Sequence, residues 1–456
     1  MKKSLKYDIG IIGGGPGGYV AAIRASQLGG RVVLFEQDTL GGVCLNRGCI
    51  PTKTLLKCAS VYHEAKNAKM FGVSASNVAF DYGEMARRKD QVVATLISGI
   101  EGLMKSNRID VVKEKATVLD SRHIRTDSDV YDVNAVVLAT GSKPSKPAIK
   151  GIDAENVLDS DGFFAMKSLP ASMVIVGGGV IGLEFGFLLS RLGCRVTILE
   201  MMETILPMAD GDVICEVEKA LKAAGAQIIT LARVCEISPS KVIYEKCGKT
   251  ATLEAEKVLV ASGRVPNVDV EMLNRLGIRH EQGKIEVDDR METNVPGIFA
   301  IGDVNGRMML AHAASEEGIV AVENIFHKDR KIDFEKIPQC VYIHPEVAWV
   351  GLSEQEAIKQ GHDVAVGRFP IYANGKSLTE GERNGFVKIV ADKKHQEILG
   401  VHLVCTRATD MISEAALAMN LEATAGEMGN TVHPHPTQSE AIMEAANALL
   451  HKAINI

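Results

Sequence analysis

Residues 7–36, YDIGIIGGGPGGYVAAIRASQLGGRVVLFE, and residues 172–200, SMVIVGGGVIGLEFGFLLSRLGCRVTILE, are two copies of one pattern. Each runs from an apolar stretch through G-x-G-x-x-G into a segment of helical length, then into a second apolar stretch that ends in an acid. The glycines are Gly13, Gly15 and Gly18 in one copy and Gly177, Gly179 and Gly182 in the other, and Glu36 lies as far beyond Gly13 as Glu200 lies beyond Gly177. In a strand–turn–helix–strand unit these glycines have separate jobs. The first closes the tight turn, the second lets backbone approach a pyrophosphate, and the third lets the helix pack on the strand; the acid then meets a ribose hydroxyl. One such fingerprint is a weak signal, because glycine triplets also make ordinary turns. Two copies with the acid at the same offset predict a chain with two dinucleotide-binding units. The plainer alternative is a duplicated doubly wound domain in which one copy binds nothing.

A second echo extends the repeat. VVLATGSKP at 136–144 and VLVASGRVP at 258–266 each carry an apolar strand into a glycine turn with proline beyond, and such strands end at the nucleotide edge of the sheet. The Pro- and Lys-rich stretch SKPSKPAIKGID, 142–153, reads as the linker into the second unit. Near Pro266 the chain is expected to return to the first unit, where TNVPGIFAIGDV, 293–304, supplies an apolar strand that stops at Gly302 and Asp303. Asp303 can meet a cofactor hydroxyl or simply cap the next helix. After Pro338 come strand-like runs (VAWVGL, FVKIVA, ILGVHLV), a helix-period stretch from Thr409 to Leu421 and the ending HPHPTQSEAIMEAANALL, with no glycine fingerprint. The expected class is therefore α/β, with two doubly wound dinucleotide-binding domains and a C-terminal α+β domain. The segments are 1–145 (first unit), 146–265 (second unit), 266–337 (return to the first) and 338–456. A length of 456 residues agrees, since one core does not grow so large.

Composition serves mainly to exclude. With 51 Lys and Arg against 57 Asp and Glu the formal charge is −6, no balance for a polyanion, so nucleic acid is not an expected partner. The lysines at the N-terminus precede an apolar run, Ile9 to Ile12, too short for a secretory core. No stretch reaches the roughly 18 uninterrupted apolar residues of a membrane span. A soluble, intracellular chain is expected, and nine scattered cysteines argue against an extracellular disulfide framework.

Two of those cysteines stand apart. GGVCLNRGCIPTK, 41–53, sets Cys44 and Cys49 between glycines with Pro51 and Lys53 beyond. A single C-x4-C with no second pair nearby does not make a four-ligand zinc site. In a regular helix residues five apart are about 7.5 Å along the axis and about 140° around it, too badly aimed for a disulfide. If the two sulfurs are to meet, the helix must break between them, and Gly48 is the residue suited to the break. Pro51 fits the first turn of a helix starting near Cys49 and running through KTLLKCASVYHEAK. At that N-terminus the macrodipole and Lys53 would favour a thiolate. Two inert buried thiols near a turn remain the plainer reading.

These motifs together resemble the pyridine nucleotide-disulfide oxidoreductases, most closely their dihydrolipoamide-oxidising members, whose redox signature is GGTCLNxGCIPSK. The likeness spans the chain: both fingerprints, ATG at 139–141, GRVPN at 263–267, AIGD at 300–303, MLAHAASEEG at 309–318 and HPHPTQSE at 433–440. It implies FAD in the first unit, NAD in the second and a C-terminal domain that forms a homodimer interface. Carried across residue by residue, it implies Cys44 as the thiol that meets substrate, Cys49 as the thiol facing the flavin, His435 as the base and Glu440 as the acid that orients it. It further implies FAD contacts at Gly13, Gly15, Gly18, Glu36, Gly42, Lys53, Ala116, Thr140, Gly141, Gly302, Asp303 and Ala311. NAD contacts are implied at Gly177, Gly179, Gly182, Glu184, Glu200, Val234, Gly263 and Arg264, with Glu184 and Lys53 paired beside the two rings, and no metal is implied. The chain departs from the usual pattern at Val43, Arg47, Thr52 and Pro434. Glu440 has a rival reading, because Thr437-Gln-Ser-Glu440 is a capping box for the helix that follows. His433 is expected in a loop, and His344 is assigned no role.

The expected activity is oxidation of protein-bound dihydrolipoamide by NAD through the cysteine pair and FAD, in the cytoplasm. The partners would be lipoyl domains of 2-oxoacid dehydrogenase, acetoin dehydrogenase or glycine cleavage complexes. The alternatives are another FAD-dependent disulfide reductase, of glutathione or coenzyme A disulfide type, or a flavin redox sensor without turnover. The terminal HKAINI carries no cysteine pair, which disfavours mercuric reductases and large thioredoxin reductases, and a soluble transhydrogenase would lack Cys44 and Cys49. NAD is expected over NADP, because EMMETILPMAD after the second strand offers no arginine to a 2′-phosphate.

Overall fold

The apolar run before Gly13 becomes the strand Leu5–Ile12, paired in parallel with Val32–Phe35 on one side and Val130–Leu138 on the other. The computed structural model describes residues 5–456; the lysines that precede this strand, at 1–4, lie outside the described residues. Asp110–Val112 extends the sheet beyond Val32–Phe35. Ile298–Ala300 pairs in parallel with the end of Val130–Leu138, so that Ile298 faces Val136 and Ala300 faces Leu138. Parallel strands are covered on both faces, which is why they read as unbroken Val, Ile and Leu rather than alternating. Accordingly Ile9, Ile11, Val33 and Leu34 are all fully buried. An antiparallel extension, Thr117–Asp120 and His123–Arg125, leans on the start of Val130–Leu138.

The second copy repeats this plan. Ser172–Val176 lies between Arg195–Leu199 and Lys257–Val260, with Gln227–Ile229 and Val157–Leu158 at the edges, all parallel. A three-stranded antiparallel sheet, Ala232–Ser238, Lys241–Lys246 and Lys249–Glu254, is appended. The third region is antiparallel. Its five strands run in the order Gln339–Val341, Glu346–Gly351, Ile398–Cys405, Phe386–Asp392, Val364–Pro370, and the helices Ala408–Asn420 and Glu440–Leu449 bury their apolar faces against it. The architecture is two doubly wound nucleotide-binding domains and a C-terminal α+β domain.

Two contacts fix how these parts meet. The helix Cys49–Asn67 inserts Leu55, Leu56 and Ala59 into one core with Phe163, Phe185 and Leu188 of the second unit and Val341, Trp349 and Phe386 of the third region. The helix that starts at Cys49 is thus clamped by all three parts. Away from it, Lys388 on a C-terminal strand is buried at 2% exposure and reaches Asp210, Asp212 and Glu354 at 3.0, 3.0 and 2.7 Å. Asp210 and Asp212 open the helix Gly211–Ala224 of the second unit, so an ion cluster around the buried Lys388–Asp210 pair pins that unit to the C-terminal sheet.

Candidate active site

The chain between the two cysteines is two helices with a break. Cys44 sits in the short helix Gly42–Arg47, Gly48 breaks it with φ −142° and ψ −111°, and Cys49 is the first residue of Cys49–Asn67. A Cβ on Gly48 would come 2.9 Å from the Val43 carbonyl oxygen and 3.2 Å from Cys44 Cα. The missing side chain is what lets the two cysteines close on each other. Both are thiols in this structure and they share a hydrogen bond.

Their acidities differ sharply. The hydrogen bond from Cys44 brings Cys49 down to about 7, against a burial that would raise it, and the Lys53 ammonium helps. The same hydrogen bond, followed by burial, drives Cys44 far up. As a pair they hold one negative charge, placed on the sulfur at the helix N-terminus. Lys53, one turn along that helix, donates to both oxygens of Glu184 at 2.9 and 2.8 Å. Glu184 belongs to the helix Val180–Arg191, half a turn beyond Gly182, and is 3% exposed. It also accepts from the Tyr342 backbone at 3.0 Å, and the Tyr342 ring lies 4.4 Å from Lys53 Nζ. One side chain from each of the three parts therefore meets beside Cys49.

This cluster lies on a continuous cleft of about 1650 Å³ that runs through both glycine loops. Of the residues singled out in the sequence, the cleft is lined by Gly13, Gly15, Glu36, Gly42, Cys44, Cys49, Lys53, Ala116, Thr140, Gly141, Gly302, Asp303 and Ala311 on one side. On the other it is lined by Gly177, Gly179, Glu184, Glu200, Val234, Gly263 and Arg264. Gly18 and Gly182 lie behind it, where a Cβ would strike the carbonyl oxygens of Gly13 at 1.8 Å and Gly177 at 2.1 Å, so these third glycines serve helix–strand contact.

The lining fits two dinucleotides. Gly13 and Gly177 turn at φ +109° and +115°, and a Cβ on either would collide with a neighbouring strand's carbonyl. At Gly179, by contrast, a Cβ would meet nothing within 4 Å, an open cradle facing the cleft. The buried Thr140 hydroxyl has no protein partner. The two acids are held identically: Glu36 accepts from the Gly14 and Asp38 amides, both at 2.8 Å, and Glu200 from Gly178 at 2.6 Å and Met202 at 2.7 Å. Asp303 accepts from Ser142, whose hydroxyl in turn accepts from Arg264 at 2.7 Å.

His435 and Glu440 stand apart from the cleft lining. Glu440 Oε1 lies 2.9 Å from His435 Nδ1 while its Oε2 accepts from the Thr437 amide at 2.8 Å. Only half of the capping box forms, because the Thr437 hydroxyl turns to the Pro434 carbonyl and the helix Glu440–Leu449 has Ser439, not Thr437, at its N-cap position. Although burial would raise it, the Glu440 carboxyl is held below its ordinary value by the Thr437 amide and the imidazole. The His435 side chain is 78% exposed. His433 is in a loop, bonded to Glu414 at 2.9 Å, and His344 pairs with Glu382.

Sequence reasoning missed Tyr342 and Cys340, which line the cleft beside Lys53, and Ser142. Nothing in their local pattern marks them: Tyr342 bonds Glu184, and Ser142 bonds Asp303 and Arg264, partners more than a hundred positions away. Arg47 was noted only as a departure, yet its guanidinium pairs with Asp38 and Asp161.

Comparison with known proteins agrees with this arrangement. Residues 7–318 match the family model described as pyridine nucleotide-disulphide oxidoreductase, and residues 337–446 match its dimerisation domain. The chain belongs to the pyridine nucleotide-disulphide oxidoreductase family. It is 44% identical to a dihydrolipoyl dehydrogenase of Bacillus subtilis over 99% of both chains. It is 41% identical to the mitochondrial dihydrolipoyl dehydrogenase of Dictyostelium discoideum over 98% of this chain and 95% of that one. The crystal structure of LpdA from Mycobacterium tuberculosis superposes with a TM-score of 0.90 at 25% identity, over 98% and 99% of the two chains. Members of this pyridine nucleotide-disulphide oxidoreductase family are FAD enzymes that exchange electrons with NAD(H), and the matched dimerisation domain makes the working unit a homodimer. Among the described residues no helix is long and apolar enough to cross a membrane, and no cluster of three or more potential metal ligands occurs.

Proposed function

We propose that this protein is a dihydrolipoyl dehydrogenase that oxidises dihydrolipoamide carried on lipoyl domains of 2-oxoacid dehydrogenase, acetoin dehydrogenase or glycine cleavage complexes in the cytoplasm. The observation that carries the reading is the unequal thiol pair, Cys44 and Cys49, placed where one cleft joins both glycine loops. Bound there, FAD would supply a two-electron acceptor for the thiols and NAD the final hydride acceptor. Gly13, Gly15, Glu36, Thr140 and Asp303 would hold the first, and Gly177, Gly179 and Glu200 the second.

The protein's own part is thiol exchange and proton handling. With Cys44 and Cys49 joined as a disulfide, a dihydrolipoyl thiol gives its proton to His435 Nε2 and attacks the Cys44 sulfur. The Cys44–Cys49 bond breaks and its electron pair leaves on Cys49. Cys49 is suited to leave because it is the more acidic thiol of the pair. The second lipoyl thiol then attacks the mixed disulfide, releasing Cys44 as a thiol and lipoamide as a disulfide. Two electrons and two protons have passed from substrate to protein. Glu440 at Nδ1 sets the tautomer that keeps Nε2 free to accept. We assign domain limits at 145, 265 and 337 on the same reading.

The test is direct. Purified holoenzyme given dihydrolipoamide and NAD should form NADH at a rate that Cys44→Ser abolishes. NADH-driven reduction of glutathione disulfide or coenzyme A disulfide at a greater kcat/KM would replace this reading with another disulfide reductase.

A further inference from the structure

Arg47 lies between the two cysteines in sequence, but its side chain works at the rim of the cleft. It bonds Asp38 at 2.6 Å and reaches Asp161 at 3.4 Å. Asp38 follows Glu36 at the first glycine loop, whereas Asp161 is on the helix Ser160–Phe164 beyond the linker. All three residues line the cleft, with side chains 41% (Arg47), 53% (Asp38) and 38% (Asp161) exposed, so they sit at its edge rather than its floor. Asp161 is also within the field of Arg264, and Arg264 bonds Ser142, which bonds Asp303. A line of alternating charge thus crosses from the acid end of the first glycine loop to the Gly302–Asp303 turn.

We propose that Arg47 is a positioning residue that bars the mouth of the FAD groove, so that bound FAD leaves only when the Arg47–Asp161 ion pair opens. This rests on the reading that FAD occupies the first unit. A dinucleotide held at Glu36 and Asp303 would share the cleft with this bridge, which is anchored at Asp38, two residues beyond Glu36, and at Asp161, on the far side of the linker. The ion pair joins the first unit to a segment beyond the linker.

The measurement is exchange of bound FAD for radiolabelled FAD in the purified holoenzyme dimer, at low and high salt. Arg47→Val is expected to speed exchange about five-fold, the scale of one rim ion pair. Asp161→Asn should do the same, and the double variant should match Arg47→Val, since Arg47→Val already removes the Arg47–Asp161 ion pair. Wild-type exchange should quicken with salt while Arg47→Val exchange stays flat. Arg47→Lys, which cannot span both carboxylates, should fall between. Exchange in Arg47→Val as slow as in wild type, or single effects that multiply in the double variant, would overturn the bar. A wild-type protein that purifies without FAD and takes up none would overturn the groove reading itself, and the bar with it.

Discussion

His435 Nδ1 and Glu440 Oε1 are 2.9 Å apart, and the second oxygen of Glu440 is tied to the Thr437 backbone at 2.8 Å. The acid is therefore fixed before it fixes the ring, and a proton held at Nδ1 between the two leaves Nε2 as the acceptor. Glu440→Gln can still bond Nδ1 but removes the charge that stabilises an imidazolium. We expect kcat to fall about ten-fold in Glu440→Gln and about 10² to 10⁴-fold in His435→Gln, the usual range for a general base. Steady-state kinetics at saturating NAD check both, and equal losses in the two variants would argue against an orienting role for the acid.

A ring that is 78% exposed and off the cleft of its own chain has little to act on there. In a two-fold dimer it can serve the partner's cysteines. Equal amounts of Cys44→Ser and His435→Gln chains, refolded together, should give about half mixed dimers, each with one intact site, and so about a quarter of wild-type activity. No recovery from mixtures proven to contain heterodimer would place both groups of each site in one chain.

Folding lowers Cys49 to about 7, below the ordinary thiol value of about 8.5. The sign follows: the thiolate contributes stability above the unfolded thiol's pKa, and that contribution fades as pH falls through about 7. The far-ultraviolet thiolate absorbance of the reduced protein, taken as a difference from Cys49→Ser, should titrate with a midpoint near about 7. Lys53→Met should move that midpoint upward by removing the ammonium that favours the charged sulfur. A downward move would mean that Lys53 acts on Cys49 otherwise than by its charge.

Glu200 ends its strand at 8% exposure with its carboxylate locked by two amides, and Arg233 nearby is engaged by Glu245 at 2.8 Å. A 2′-phosphate about 4 Å from that carboxylate would meet a repulsion of about 4 kcal/mol at an effective dielectric of about 20. NAD should therefore exceed NADP in kcat/KM by several hundred-fold. Comparable efficiencies would show that the ribose lies elsewhere.

Lys388 is buried and holds three carboxylates, of which Asp210 is fully buried while Asp212 and Glu354 reach solvent. Lys388→Met keeps the volume and leaves Asp210 buried without its cation, a change that costs about 3 to 5 kcal/mol. Denaturant unfolding should register that loss. Asp210 is held below the ordinary carboxylate range even though burial opposes it, because His402, Lys388 and the Asp212 amide outweigh burial. Its share of stability is present above the unfolded carboxylate pKa and is lost on acidification, so the gap between wild type and variant should narrow at low pH.

Much of this arrangement was legible before any coordinate. The parallel sheets, the turn glycines and the break at Gly48 follow from backbone geometry, which leaves a mark on spacing. The helices at Cys49–Asn67 and Ala408–Asn420 lie within a residue or so of their expected positions. Contacts between distant side chains left no such mark. Lys388 stands in FVKIVA, where a lysine looks like a solvent-facing strand position, and only the approach of Asp210 makes burial tolerable. Tyr342 and Ser142 are equally silent in sequence. The capping box at Thr437 misled in part, because the same carboxylate serves a histidine that the spacing alone does not reveal.

The matched grip on Glu36 and Glu200 has a consequence for how this chain tells its two nucleotides apart. Both loops offer the same socket to an adenosine ribose, so the socket cannot choose. Choice must come from the corridor leading away from each: in one direction toward Ser142 and Asp303, in the other toward Glu184. Exchanging the two glycine loops and their acids should leave each nucleotide in its own half, because the lock in each half lies at the far end from the keyhole.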